Sequence, residues 1–372
     1  MKKLKYIALV ALAALTACTK VEMDSYSPDR KVTFQAAAYV PQTKANVTLW
    51  DEFHAFKAKA FLHADRGDGY TSETQDFFGT ADNNHIETIT PYQDGGSPAA
   101  SESNTSFWAP SHDYYWPKSA NSYLNFIAWY DKNGRTPATS SETSLSWTGY
   151  TVQGDDNLLY ADEAWHYNLN TTNDSHYTGD RVTNGVPMLF HHALAQVAFK
   201  ASATNATSGD YTRSVAITSF SLSNVYSTGS LELTNAGSET TATVPWEVRG
   251  NGWATSGTAA PMAATIASGS SISVTGDAVN LIPMRTVLPQ TVTGSMMLTI
   301  EYDIVTKKNG ADFSVEHITF SKSLRSLVSI ITEWGMGHMI TYTLVFNLST
   351  DSILIQPTLE NWEYNGGNVT VE

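Results

Sequence analysis

Along much of the chain apolar and polar residues alternate, the period of two that sends neighbouring side chains to opposite faces of a strand. Val32, Phe34, Ala36 and Ala38 share one face of VTFQAAAY, and Phe56, Ala58, Ala60 and Leu62 share one side of Val47–Ala64. Met296–Val305 (MMLTIEYDIV), Phe313–Phe320 (FSVEHITF), Ile340–Leu348 (ITYTLVFNL) and Ser352–Leu359 (SILIQPTL) each predict a further strand. Tyr123–Tyr130, YLNFIAWY, is apolar on both faces, which predicts a strand central to a sandwich. Ser230–Leu233 is expected to pair with Ser214–Val225 across a Thr228-Gly229 turn, and Gly250-Asn251-Gly252 to make a tight reversal. The connector TKKNGAD contains the turn signal Asn309-Gly310 but is longer than a two-residue hairpin needs. Pro283 and Pro289 confine LIPMRTVLPQ to a sheet edge or loop. Asp65–Ala100 is loop-like and is expected to hold short strands, because an unbroken loop of that length is unusual. Strands with one polar face favour antiparallel packing over a parallel sheet with helical crossovers.

One stretch does not keep a single period. In Pro187–Lys200, PMLFHHALAQVAFK, Phe190, Leu194 and Val197 would share a helical face, whereas Ala195, Val197 and Phe199 alternate as in a strand. A short helical turn running into a strand is expected, at a seam between two polar, aromatic-punctuated halves. His191 and His192, adjacent on a strand, would point to opposite faces, and no HxH, HExxH or Cys/His cluster completes a metal site. Packing and hydrogen bonding are the expected roles.

At 372 residues the chain exceeds what one core usually serves, so two domains are expected, and 42% hydrophobic residues suffice to fill them. The net charge of −14 and the lack of a basic stripe argue against nucleic acid as a partner. The single cysteine, Cys18, excludes an intrachain disulfide framework. It follows MKKLK, an apolar run from Tyr6 to Leu15 and the small residues before position 18, the order of a bacterial leader ending at a lipid-accepting cysteine. Removal of residues 1–17 would take Lys2, Lys3 and Lys5 with it and leave a net charge of −17. Acyl chains on Cys18 would anchor a body that has no membrane-spanning helix of its own.

Candidate chemistry is sparse. The aromatic group around Phe107–Tyr130 reads mainly as core, with Trp108 and Trp116 as the candidate exposed platforms for stacking on a glycan. Asp155–Asp180 carries six acidic residues (Asp155, Asp156, Asp162, Glu163, Asp174, Asp180) but lacks the EF-hand spacing, so it reads as a solvated loop. Arg285 alone makes a weak anion site and a better salt-bridge partner. No GxSxG element or organised triad is evident. No enzyme activity, metal or cofactor is expected.

Several separated motifs together carry a family resemblance. They are the lipobox at Cys18, VTFQAAAY, HDYYWPKSANSYLNFIAWY, VPMLFHHALAQVAFK, LIPMRTVLPQ and EWGMGHMITYTLVFNLSTDSILIQPTLENW. In this order, over nearly the whole chain, the sequence resembles the fimbrillin-like lipoproteins of Bacteroidetes. The resemblance implies an all-β protein of two tandem transthyretin-like β-sandwich domains. The corresponding division is a leader at 1–17, a lipidated tether at 18–31, one sandwich at 32–185 and a second at 186–372. It also implies a structural or accessory subunit of surface fimbriae, outer-membrane anchored through its lipid and contributing to adhesion. Such subunits exchange strands: an N-terminal segment is cut away after a basic residue and another subunit's strand fills the groove by β-augmentation. Arg30 and Lys44 are the two candidate cut sites; only the second would release the strand VTFQAAAY. The donor is either the region bearing Ile340, Tyr342, Leu344, Phe346, Ile353 and Ile355 or the tail Asn368–Glu372. Ser352, in Asp351-Ser352-Ile353, matches a short O-glycosylation pattern of these bacteria, and Trp362 is expected to pack beneath the last strand. Partners are thus other fimbrial subunits, the membrane, and host or bacterial surface glycans or proteins; a surface glycan-binding lipoprotein is the rival reading.

Overall fold

The computed structural model describes residues 32–38, 47–48, 54–63, 74–78, 85–91, 108–117, 122–167, 186–204, 206–235, 243–244 and 247–362. Its first half contributes β1 (Phe34–Ala38), β2 (Val47–Thr48), β3 (Phe56–His63), β4 (Thr74–Asp76), β5 (Glu87–Pro91) and β6 (Trp108–Pro110). β7 (Tyr123–Asp131), β8 (Thr139–Ser141), β9 (Ser144–Thr151), β10 (Leu158–Ala161), β11 (Glu163–Tyr167) and β12 (Val186–His192) follow. The second half opens with β13 (Ala195–Thr204), β14 (Thr207–Ser208), β15 (Tyr211–Val225), β16 (Thr228–Thr234), β17 (Thr243–Val244) and β18 (Glu247–Ser256). β19 (Ala260–Ala263), β20 (Ile272–Val274), β21 (Val279–Val287), β22 (Gln290–Thr291) and β23 (Met297–Lys308) come next. β24 (Ala311–Ser323), β25 (Glu333–Trp334), β26 (His338–Asn347) and β27 (Ser352–Asn361) complete the order, with one helical turn at Leu324–Leu327. The fold is all-β.

Hydrogen bonding in the first half runs in a ring. β7, β10, β12, β1, β6, β5 and β3 pair in succession, and β3 returns to β7 through seven residue pairs from Lys57↔Trp129 to His63↔Tyr123. Closure of this kind removes free edges. Inside the ring lie Phe34, Phe56, Ala58, Ala60, Trp108, Leu124, Phe126, Met188 and Phe190. Both faces of YLNFIAWY are buried, as its pattern predicts: Leu124, Phe126 and Ala128 look inward, while Ile127 and Trp129 pack on a separate outer core.

That outer core joins the halves. Its cover is a sheet ordered β18-β16-β9-β8, so two strands from residues 228–256 lie side by side with two from residues 139–151. Beneath it, Trp129, Trp147 and Tyr160 meet Leu194, Leu231, Leu233, Trp253 and Leu288. The Trp253 indole N–H donates to the Ala193 carbonyl at 2.7 Å. The second half proper is a two-sheet sandwich. β21-β13-β26-β27 faces β15-β23-β24, and β14, β20 and β19 share the other edge of β15. Phe199, Phe220, Tyr302, Tyr342 and Phe346 fill the space between.

Several local expectations change. Residues 186–192 are extended throughout, with no helical turn, because β12 is held on one side by β1 and on the other by β10. The chain therefore leaves the first ring after His192, at Ala193 and Leu194, rather than before Val186. β16 pairs with β9 and β18, not with β15. Gly250-Asn251-Gly252 lies within β18 at a register irregularity instead of a reversal, with Gly252 at φ 83°. Lys308 pairs with Ala311 around Asn309 (φ 50°) and Gly310 (φ 81°), so the hairpin does close on a two-residue loop. The prolines behave as expected: β21 is an edge strand, and Pro283 falls where its register against β13 jumps.

Candidate assembly site

β1 is the first described strand, and it enters the ring between strands far away in sequence. It lies parallel to β12 over five residue pairs, Phe34↔Val186 to Ala38↔Phe190, and meets β6 at the single pair Phe34↔Trp108. β2 adds two antiparallel pairs at its end. The Val32 amide donates to the Tyr114 carbonyl and the Val186 amide to that of Thr33, both at 2.8 Å.

Side chains anchor this strand through one face. Val32, Phe34 and Ala36 are buried, Phe34 completely. The Phe34 ring meets Phe126 edge-on at 5.3 Å, Phe56 at 6.1 Å and Phe78 at 6.4 Å between centroids. Such aromatic pairs add to the burial of the ring itself. Below them, Phe56 contacts both Trp108 and Phe190. If β1 were absent, this aromatic cluster would face an open slot between β12 and β6. The alternation read from VTFQAAAY thus places Val32, Phe34 and Ala36 correctly, while only the fold shows that the strand is one stave of a closed wall.

Polar groups brace the slot from its rim. The buried Glu87 accepts from Tyr114 Oη (2.7 Å), Ser111 Oγ (2.8 Å), His85 Nε2 (3.1 Å) and His112 Nδ1 (3.2 Å). Burial pushes its carboxyl up, but those hydrogen bonds outweigh it and hold the pKa down at about 2. No sequence motif announced this group, whose members come from the start of β5, the residues just before it and the segment after β6.

The seam histidines take the structural roles expected of them, on opposite faces. His191 stacks on Tyr160 and pairs with Asp162 at 2.9 Å. His192 bonds Asn157 through Nδ1 at 3.1 Å and stacks on Trp362, with 3.9 Å between ring centroids. Trp362 therefore packs on the seam, and burial, aided by His191, pushes the His192 imidazole down to about 3. Nearby Glu163 is fully buried beside Asn235, which donates to it at 2.5 Å; burial and the charge of Glu142 push its pKa up to about 9.

The described part of the acidic run, residues 155–167, is not a solvated loop. Asp156, Asp162 and Glu163 are buried, and Asp156 serves as a partner of Arg135 (2.9 Å) and of the Gln153 amide (2.8 Å). Asp155 is exposed, and Asp174 and Asp180 lie outside the described residues. Trp108 and Trp116, offered as exposed glycan platforms, are buried at 0% and 9% exposure. Neither has a free face, because β6 is a stave of the ring and Trp116 packs edge-on against Phe126. Arg285 is exposed.

In the donor-strand region, Ile340, Tyr342, Leu344, Phe346 and Ile355 are buried in this chain's own core, and Ile353 packs against it. β26 is paired on both edges, by β13 and β27, so stripping it out would dismantle the sandwich; among the described residues β27 has one free edge. Ser352 begins β27, exposed, next to Asp351 at φ 50°. Cys18, Arg30, Lys44 and Asn368–Glu372 lie outside the described residues. Among the described residues no helix is long and apolar enough to cross a membrane, and no group of three or more His, Cys, Asp or Glu is placed to hold a metal.

Comparison with known proteins agrees with this architecture. Residues 72–362 match the family model described as fimbrillin-like. A crystal structure of a fimbrial protein from Bacteroides vulgatus superposes with a TM-score of 0.51 at 17% identity, over 89% of this chain and 100% of that one. The fimbrial anchor protein Mfa2 from Porphyromonas gingivalis aligns over 90% of this chain and 98% of its own, at 9% identity and a TM-score of 0.31. No curated protein matches the chain.

Proposed function

The chain belongs to the fimbrillin-like family, and from that membership we propose that it is a subunit of surface fimbriae that assembles by strand exchange at the β1 slot. It is a structural protein rather than an enzyme. The observation that carries the mechanism is β1 itself: the first described strand, parallel to β12, whose Phe34 plugs an aromatic cluster. Cutting after Lys44 frees that strand, and the vacated slot offers β12 backbone groups for hydrogen bonds and pockets for alternate side chains. Cutting at Arg30 leaves β1 in place and suits an anchoring or accessory subunit.

The donor in this reading is β27 with the residues after it, since β26 is needed where it stands. Cys18 carries the lipid, Ser352 a surface glycan, and the halves correspond to two transthyretin-like sandwiches whose shared sheet couples them. Surface exposure and adhesion follow from family membership; the tryptophan platforms that favoured a glycan-binding lipoprotein are buried.

The test is proteolysis followed by sizing. Mature chain cut after Lys44 is expected to lose the N-terminal segment and form a ladder of oligomers, while uncut chain does not. A cut chain that stays monomeric at all concentrations sinks the strand-exchange reading.

A further inference from the structure

Among the described residues β24 has one strand neighbour, β23, and its other edge is free. It is thirteen residues long, contains no proline, is exposed over most of its length and carries Phe313 and Val315 at 61% and 52% exposure. A long free edge of this kind is a template for pairing.

The end of β24 farther from the hairpin turn is regular. From Val305↔Val315 to Met297↔Ser323 it keeps unbroken register with β23, the single shift lying nearer the turn. Glu316, Ile318, Phe320 and Lys322 stand opposite Ile304, Tyr302, Ile300 and Leu298, which are buried, so these four share the core-side face. His317, Thr319 and Ser321 occupy the other. Ile318 and Phe320 are half-buried against the second core; Glu316 and Lys322 are exposed, and among the described residues neither forms an ion pair. The Lys322 ammonium lies 5.7 Å from the centre of the Phe320 ring.

Around Thr319 the segment EHITFSK is chemically self-complementary. With a second copy laid antiparallel and Thr319 opposite Thr319, Glu316 faces Lys322, His317 faces Ser321 and Ile318 faces Phe320, each twice. Residues equidistant from Thr319 fall on the same face, as antiparallel pairing requires. Moving the axis to His317 sets Glu316 against Ile318, and moving it to Ser321 sets Lys322 against Phe320. Of these three registers the one about Thr319 alone pairs both Glu316 and Lys322 with an opposite charge.

We propose that β24 is a homotypic docking edge, on which two copies of this chain pair antiparallel about Thr319 and join their outer sheets. The contact is isologous and two-fold. It uses no residue of the β1 slot, so it links subunits laterally and stands whether or not strand exchange occurs.

Residues 18–372 carrying Cys18→Ser and Thr319→Cys hold a single thiol at the two-fold axis. Mild oxidation is expected to give a disulfide-linked dimer, whereas Val315→Cys is not, its two copies being about 27 Å apart along the paired strands. In sedimentation, Glu316→Lys and Lys322→Glu are each expected to raise the dimer dissociation constant about tenfold or more, and the double swap to restore it. A chain that stays monomeric at about 100 µM, equal cross-linking of both thiols, or a double swap that fails to rescue overturns the proposal.

Discussion

Two buried ionisable residues near the seam, Glu163 and His192, give stability opposite slopes with pH. Glu163 keeps its proton in the fold up to about 9, whereas an exposed carboxyl loses it near 4.5. Its contribution is full below 4.5 and declines as pH rises towards 9. His192 stays neutral in the fold down to about 3, so its contribution is full above 6.5 and declines as pH falls. Glu163→Gln keeps an oxygen for the Asn235 donor and removes the ionisation. It is expected to stabilise the protein by about 4–5 kcal/mol at pH 8 and to flatten the alkaline side of a denaturant-midpoint profile, leaving the acid side unchanged. Trp362→Ala removes the ring stacked on His192 and is expected to cost about 2–3 kcal/mol, measured by urea unfolding. Neither effect is legible in the sequence, where Glu163 sits in a polar run and the partners of His192 lie 35 and 170 positions away.

At the scale of elements, alternation found most long strands but not their neighbours. VTFQAAAY was recognisable as a strand from Val32, Phe34, Ala36 and Ala38; that it lies parallel to residues 186–190 was not. This distinction matters for assembly. Ala36 pairs with Met188, so Ala36→Cys with Met188→Cys places a disulfide between β1 and β12. The staple is expected to abolish the oligomer ladder after cleavage at Lys44, and reductant to restore it, as followed on a sizing column. The same reasoning separates β26 from β27: Tyr342 and Leu344 looked like a donor face because inward-facing residues and residues meant for another subunit's groove share one pattern.

For the whole molecule, the decisive feature is the shared sheet. Length led to the expectation of two domains; among the described residues the buried apolar side chains form three clusters, because β16 crosses back to pair with β9, carries β18 on its other edge and builds a cluster between the other two. The halves are therefore expected to unfold together. Trp253 ties them through its bond to Ala193 and its edge contact with Tyr150 at 5.5 Å between centroids. Trp253→Ala is expected to cost about 3–5 kcal/mol and to split a single calorimetric transition into two.

By itself the sequence determined the strand class, the leader pattern at Cys18, the core faces of the long strands and, through ordered motifs, the family, because each is carried by spacing along the chain. Tertiary structure decided which strands are neighbours, that Trp108 and Trp116 are interior, that three of the acidic residues are structural and that β24 has a free edge among the described residues. These depend on contacts between residues distant in the chain, which a period of two leaves undetermined: the same alternation serves a strand in a ring, in a sandwich or at an edge.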